Sequence, residues 1–472
     1  MLSILYSVLF TLSLILINPW GASLNVVETG RAETWAYPKI FVVILITLAN
    51  LSIAIFQRNK LDKRLIKKKA FKLWALYLLS AIIATLLSPF PLHSLFGQSV
   101  LGDGLLYWII IAIFTWSNAL ALTCQPTLFK SQLCGILSGG LILALSIFPQ
   151  ALNWRIDYTA TSGQLSNSSS TMLKSFIWQS QMPIGLYTNR GYVGCVLAVI
   201  ACLSLVLVIR RSIPQSIALG LFFTANFALL LTRTRGAIVA LVIVEIYFFL
   251  VYYRKVKQLI NPVTRNMRIM LAILLFIAIL YFFGAEISRL YSVWHEAREP
   301  LSGNDSFLEN SLTGRLYLWK TAMRGIFERP IFGWGFNGFG VAHLFVGDWS
   351  GQLSSYIPAE APVLQIVNLY ETTFEYLSTD GEIYSGLVLT HKAHNLILDT
   401  LLSVGIVGSI FYFLLIGYLI YKLINSEYSG YVGIAAVYLL FTLTWYETAQ
   451  FSHLFWWILS LGLTQSKNGL EN

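Results

Sequence analysis

Hydrophobic positions in this chain fall in long uninterrupted blocks, and the polar positions between them fall mostly in short turns. The blocks occupy residues 2–17, 40–56, 71–87, 104–123, 133–148, 191–209, 213–231, 236–253, 269–285, 396–421, 431–446 and 450–463. A helix needs roughly 20 apolar residues to cross a bilayer, so each block is read as a membrane-spanning helix. The pattern predicts an all-α integral membrane protein with about 12 transmembrane helices. One polar stretch, 286–390, breaks the rhythm. It divides the chain into a membrane domain of about nine helices over 1–285, a large loop over 286–390, and a second membrane domain of about three helices over 391–472. Inside the loop, 312–327 has a helical rhythm that Pro330 stops soon after. The first block has no basic leader and no clear small-residue cleavage site, so it is expected to stay as a span.

Charge then orients these helices. The basic residues gather on alternate turns: Arg58, Lys60, Lys63, Arg64, Lys67, Lys68, Lys69 and Lys72, then Lys130, then Arg210 and Arg211. Arg254, Lys255, Lys257, Arg265 and Arg268 continue the series, followed by Lys422 and Lys467. Cytoplasmic turns carry the excess of Lys and Arg, so both termini are expected inside. The loop 286–390 then lies outside, with the turns 18–39, 88–103, 149–190 and 232–235. A composition of 56% hydrophobic and 11% charged residues, with mean hydropathy +0.68, agrees with a polytopic membrane protein. The net charge of +10 is therefore largely topological, a basic face against anionic lipid. No basic-aromatic module accompanies it, so nucleic acid is not among the expected partners. Cys124, Cys134, Cys195 and Cys202 form no C-x-x-C pair and read as small packing residues within or near the spans. There is no internal repeat, and the Ser/Asn-rich 166–171 reads as a surface turn.

Several polar residues sit where chemistry is expected. Arg233 and Arg235 stand at the outer end of a helix, a side where positive charge is disfavoured. A guanidinium fork matches phosphate oxygens, so a phosphate clamp is one reading, and snorkelling to lipid headgroups is the other. Glu245, deeper in that helix, reads as a partner within the bundle. Arg315 opens the loop helix, where an anion is well received, with Trp319 one turn along on the same face. Lys320, Arg324 and Arg329 read as the solvated face of that helix. The run Gly333-Trp334-Gly335-Phe336-Asn337-Gly338-Phe339-Gly340 permits tight backbone approach and offers flat aromatic faces for sugar rings or lipid, or else makes a compact turn. His394 is the candidate general base at the membrane mouth, with His391 its competitor three residues earlier. Two histidines with the distant Glu382 or Asp399 do not amount to a metal site, and no nucleophile triad is legible. No metal and no cofactor is expected.

Thr234-Arg235-Gly236 at an outer helix start, Gly314-Arg315 with Trp319, Pro330 before Gly333-x-Gly335-x-Asn337-x-Phe339, and His394-Asn395 with Gly405 and Gly408 occur in that order around one large loop. In this the chain resembles the O-antigen ligase and O-antigen polymerase superfamily over residues 232–408. The resemblance implies a glycosyltransferase C-like membrane enzyme of the bacterial plasma (inner) membrane. Such an enzyme transfers a glycan from an undecaprenyl-diphosphate-linked donor to a lipid- or glycan-linked acceptor in cell-envelope polysaccharide biosynthesis, including lipopolysaccharide. It works at the outer face, independently of metal. By the same resemblance Arg235 and Arg315 hold the diphosphate and His394 activates the acceptor hydroxyl; Arg233, His391, Trp319, Trp334 and Asn337 are further candidates for substrate contact. The family often has an acidic residue two positions before the glycine matching Gly405, and here Ser403 stands there, so Asp399 or Glu382 would orient His394 instead. A polymerase using the same donor is the alternative within the family. A small-anion transporter, such as one for bicarbonate, is the alternative outside it, although transporters place charges or broken helices in paired halves and this chain shows only Glu245.

Overall fold

The computed structural model describes residues 1–18, 32–57, 59, 69–151, 183–260, 311–347, 363–370, 373–388 and 390–464. The expected span 269–285, the patch 166–171, and most of the basic turns at 58–68 and 261–268 lie outside the described residues. The helices are α1 (Leu2–Ile15), α2 (Tyr37–Phe56), α3 (Lys69–Leu86), α4 (Pro91–Phe96), α5 (Leu105–Cys124), α6 (Leu128–Ala151), α7 (Arg190–Arg210), α8 (Gln215–Thr232) and α9 (Arg235–Ile260). Then come α10 (Ser311–Glu328) and α11 (Gly338–Val346), strands β1 (Val363–Leu369), β2 (Thr373–Ser378) and β3 (Ile383–Leu387), and α12 (Leu396–Ile424), α13 (Val432–Thr442) and α14 (Ser452–Leu461). Two compact units result, Met1–Val244 with Arg315–Asn472, and Glu245–Gly314. The residues of the candidate site belong to the first; Glu245 belongs to the second.

Seven of the described helices are long and apolar enough to cross a membrane, while Leu2–Ile15, Ser429–Thr442 and Ser452–Leu461 are shorter. The chain is thus mostly helical and built to reside in a bilayer. The expected spans 431–446 and 450–463 need correcting: as helices they are shorter, with α13 ending at Thr442, α14 starting at Ser452 and a non-helical stretch at 443–451 between them. Such backbone survives among apolar helices when protein buries it and meets its polar groups. Ala449 N–H donates to Leu101 O (2.8 Å), and the Gln450 amide donates to Val100 O (3.0 Å) and Thr188 Oγ1 (2.9 Å).

Small residues and amides join the helices. Gly139 of α6 lets α1 approach so closely that a Cβ there would lie 3.0 Å from Thr11 O, and the Ser7 and Thr11 hydroxyls donate to Ser131 O and Gly135 O (both 3.0 Å). Deeper in the bundle, Tyr6 donates to Asn50, the Asn50 and Gln132 amides donate to Asn118 Oδ1, Asn118 donates to Ser460, and Trp457 donates to Gln132. Five helices share this neutral network.

The all-helical expectation also needs correcting in the loop, where β1, β2 and β3 form an antiparallel sheet in that order. β2 alternates strictly between covered and half-covered positions, and Phe374 and Tyr376 pack with Leu344 and Val388. The β2–β3 turn uses Asp380-Gly381, with Gly381 at φ +88° and Asp380 accepting from Glu382 N and Tyr384 Oη (both 2.9 Å).

Helix α12 is broken at Gly405 (φ 64°, ψ −172°). Its opened turn pairs with the segment after α10: Trp334 N donates to Leu402 O (2.7 Å), Gly335 N to Ser403 O (3.0 Å), and Ile406 N to Pro330 O (2.8 Å). A Cβ on Gly333 or Gly338 would lie 2.5 or 2.6 Å from Leu402 O. The glycines of the 333–340 run thus let the loop lie directly on α12.

Candidate active site

His394 stands immediately before α12, whose N-cap is Asn395. The Asn395 side chain accepts from Ile397 N (3.0 Å) and Leu398 N (3.2 Å), satisfying the first turn, and its Nδ2 donates to Leu443 O (3.0 Å). His394 itself adopts φ +58°, a left-handed conformation that costs a residue with a Cβ on the order of 1 kcal/mol or more and persists only where its surroundings enforce it. Asp399, one turn into the helix, supplies the enforcement. Its carboxylate accepts from Ala393 N (2.7 Å) and Asn395 N (3.4 Å), the amides on either side of His394.

The imidazole is also fixed in rotation. It stands perpendicular to the rings of Trp445 (4.9 Å between centroids) and Tyr446 (4.8 Å), both at 90°, and Tyr446 is tied through its hydroxyl to Tyr192 (3.1 Å). Nδ1 lies 3.2 Å from the carbonyl oxygen of Lys392. A carbonyl only accepts, so the contact assigns the ring proton to Nδ1 and leaves the Nε2 lone pair bare. Burial first, and then the positive charge of Arg315, bring the imidazole down from its ordinary range to about 4, while the Lys392 carbonyl works in the other direction. The ring is therefore neutral at pH 7.

Arg315 is half-buried in the first turns of α10. Trp319, one turn on, donates from Nε1 to Ala393 O (3.1 Å), so the loop helix is clasped to the residue preceding His394. Arg235 opens α9. Gly236 beside it brings the helix start so near the 443–446 turn that a Cβ would lie 2.6 Å from Thr444 Oγ1, and Trp445 and Tyr446 are the next residues of that turn. The Arg315 guanidinium is lowered by burial and then by the charge of Arg235. Arg315 thus lies within electrostatic reach of both Arg235 and His394, although the three come from separate parts of the sequence.

The remaining sequence candidates are placed as follows. Arg233 is exposed in the turn that ends α8, at φ +53°. His391 faces the other way, with its ring 6.4 Å from that of His93 and its Nδ1 3.0 Å from where a Cβ on Gly340 would stand. Trp334 is 2% exposed, stacked on Phe345 at 5.4 Å, capped by the Arg329 guanidinium at 4.4 Å and bonded from Nε1 to Gly325 O. Asn337 is fully buried at the start of α11. Phe336 and Phe339 are also buried, so the compact-turn reading describes this run in the structure. Glu382 is exposed in the β2–β3 turn. Neither it nor Asp399 bonds to the imidazole: a backbone carbonyl orients His394. Among the described residues no group of three or more His, Cys, Asp and Glu side chains is arranged to hold a metal ion.

Sequence reasoning did not find Trp445 and Tyr446, which lie inside an apolar block, or the buried pair of Lys392 with Asp103, 289 positions apart. A lysine between the two histidines was the only signal for that pair.

Residues 219–413 match the family model described as O-antigen ligase, a stretch that contains Arg235, Arg315 and His394. No curated protein matches the chain at a significant level. Over residues 219–413, the chain is therefore similar to the O-antigen ligase family.

Proposed function

We propose that this protein is a membrane glycosyltransferase of the O-antigen ligase type. It moves a glycan from an undecaprenyl-diphosphate carrier to an acceptor hydroxyl at the outer face of the plasma membrane, with inversion and without a metal. The observation that supports this reading is the setting of His394: Nδ1 faces the Lys392 carbonyl, which leaves the Nε2 lone pair bare, and the charge of Arg315 bears on the imidazole while that of Arg235 bears on Arg315.

Sidedness supports it. α12 starts beside His394, and its far end carries Lys422, which shares the Tyr418 ring with Lys69 (both 5.7 Å). α7 starts at Arg190, whose carbonyl accepts from Thr234, and ends at Arg210, which lies over Tyr431 and bonds to Glu427 O. Lys69, Arg210, Arg211 and Lys422 therefore gather at the end of the bundle opposite His394. The positive-inside rule puts that end in the cytoplasm and His394 outside.

The chemistry follows from the groups. The acceptor hydroxyl donates to Nε2 and its oxygen attacks the anomeric carbon. The new carbon–oxygen bond forms as the bond to the diphosphate breaks, and the departing oxygen takes the electron pair. Arg235 and Arg315 stabilise that charge, the largest electrostatic demand of the transition state. The proton passes to Nε2, and the imidazolium so formed is stabilised through Nδ1–H by the Lys392 carbonyl. A positioned base contributes roughly 100- to 10,000-fold. Binding the anionic donor also cancels part of the Arg315 charge that weakens the base, so the substrate raises the basicity of the group that acts on it.

Purified protein in lipid nanodiscs, supplied with a lipid-diphosphate-linked glycan and acceptor, tests the assignment. His394→Ala should cut transfer roughly 100- to 10,000-fold while insertion and melting are retained, and near-normal turnover by that variant overturns the base. In cells, unattached polymer on the lipid carrier of a deletion strain indicates a ligase, and single repeat units indicate a polymerase.

A further inference from the structure

Lys392 is an unusual residue to find beside the candidate base. The residue is 7% exposed, and its ammonium pairs with Asp103, itself 4% exposed. Desolvation of two such ions is costly, and a buried pair seldom adds net stability over well-packed apolar residues. Its presence calls for another account, which the geometry of Asp103 provides. The 97–104 loop before α5 is pinched shut: a Cβ on Gly97 would lie 3.0 Å from the Gly104 Cα, and Gly102 N donates back to Gln98 O (2.7 Å). The closed loop is fixed to the 443–451 stretch through Leu101 O and Val100 O. Asp103 is thus presented from a rigid platform.

Lys392 is equally constrained at its backbone. Its N–H donates to Thr390 Oγ1 (3.4 Å), its carbonyl accepts from Thr390 Oγ1 (3.1 Å), and the same carbonyl faces His394 Nδ1. The ammonium at one end of this residue and the carbonyl at the other connect the 97–104 platform to the imidazole. Asp399 and Glu447 attract the same ammonium, but Asp399 is engaged by the amides of Ala393 and Asn395, and Glu447 by the hydroxyls of Tyr412 (2.7 Å) and Tyr438 (2.9 Å). Asp103 is the carboxylate that bonds to it.

We propose that Asp103 and Lys392 are a positioning pair that holds the Lys392 carbonyl against Nδ1 of His394, so that the 97–104 loop sets the tautomer of the base and keeps Nε2 bare. This rests on the reading of His394 as the base. Neither residue touches the substrate. Without the ion pair the 391–394 turn shifts, the Nδ1 contact is lost and the proton distributes over both ring nitrogens.

The test uses full-length protein in nanodiscs. Histidine labelled with nitrogen-15, with the His394 signal identified by its loss in His394→Gln, reads the tautomer directly: wild type should carry its proton on Nδ1, and a proton on Nε2 overturns the proposal without any variant. Asp103→Asn and Lys392→Met should show mixed tautomers and lose about 10- to 100-fold in kcat, the scale of a small misplacement of a catalytic group, with KM for the donor within about threefold. Lys392→Arg, which keeps the charge pair, should retain a kcat within about threefold of wild type. In a His394→Ala background Asp103→Asn should cost nothing further, whereas an additional loss means the pair acts on the fold at large and overturns the proposal. Failure of the base assignment is distinguishable, since then His394→Ala itself stays active. If His394→Ala is strongly impaired and Asp103→Asn is indistinguishable from wild type, only the positioning role fails.

Discussion

A side chain at Gly405 would run into the carbonyl of Ile331, so the break in α12 and the segment that fills it are made for each other. Gly405→Ala therefore has two penalties, the overlap and a φ of +64°. A left-handed non-glycine residue alone costs about 1–3 kcal/mol. The variant should melt several degrees lower than wild type in nanodiscs and lose transfer activity, and Gly333→Ala, at φ +71° with a Cβ 2.5 Å from Leu402 O, should behave alike. Gly417→Ala is the control, because its Cβ meets nothing within 4 Å. Equal melting of Gly405→Ala and Gly417→Ala would remove the docking account.

The seven helices long and apolar enough to cross a bilayer were legible because a bilayer imposes a long apolar run. What fills the run was less so. The 443–451 stretch mixes aromatic residues with Thr444, Glu447, Thr448 and Gln450, and burial among other helices, which meets its polar groups, lets it leave helical geometry. The hairpin did carry a signal in Asp380-Gly381 and in the alternation of 373–378, but a loop already read as helical hid it. The glycine-rich run named residues correctly as places of close approach; that the partner is α12 follows from contacts between segments separated by dozens of residues.

Trp319 is predicted to matter through its N–H rather than its ring. Trp319→Phe keeps an aromatic face on α10 but loses the bond to Ala393 O. A neutral hydrogen bond of this kind is worth about 0.5–1.5 kcal/mol, or about a 2- to 12-fold change. The variant should lose that much in kcat/KM with little change in melting. A full loss of activity would mean the ring itself contacts substrate, and no loss would mean α10 is held without the clasp.

The arginines are predicted to act in donor binding. Arg235→Ala and Arg315→Ala should each weaken binding of a lipid diphosphate by about 10- to 100-fold, the worth of a charge-assisted hydrogen bond of about 1.5–3 kcal/mol. Arg324→Ala, exposed on the same helix as Arg315, should change it less than about twofold. Arg315→Lys keeps the charge and loses the fork, so it should fall between wild type and alanine. Unchanged affinity in both alanine variants, measured by direct titration in nanodiscs, rules out the clamp. These two residues stand out in the sequence by their type, whereas what orients His394 does not: a backbone carbonyl has no residue type to read.

The pH dependence should separate free enzyme from complex. In the free enzyme His394 sits at about 4, below the ordinary histidine range, so the active neutral form persists as pH falls and is lost only near that value. The acid limb of kcat/KM is expected near pH 4–5. With the donor bound, the diphosphate offsets the Arg315 charge and the imidazole holds its proton more readily, so the limb of kcat should lie at higher pH than that of kcat/KM. Stability runs in the same direction. His93 and His343 are held at about 4 and His391 at about 3, chiefly by burial, so between these values and 6.5 the unfolded chain binds more protons than the native one. Stability therefore decreases as pH drops through 6.5, and Tm should fall with it. Initial rates taken within seconds of a pH jump, with full recovery on return to pH 7, distinguish titration of the base from loss of the fold. A kcat/KM limb at the ordinary histidine value, unmoved in kcat, would mean that Arg315 does not bear on His394 and that another group takes the acceptor proton.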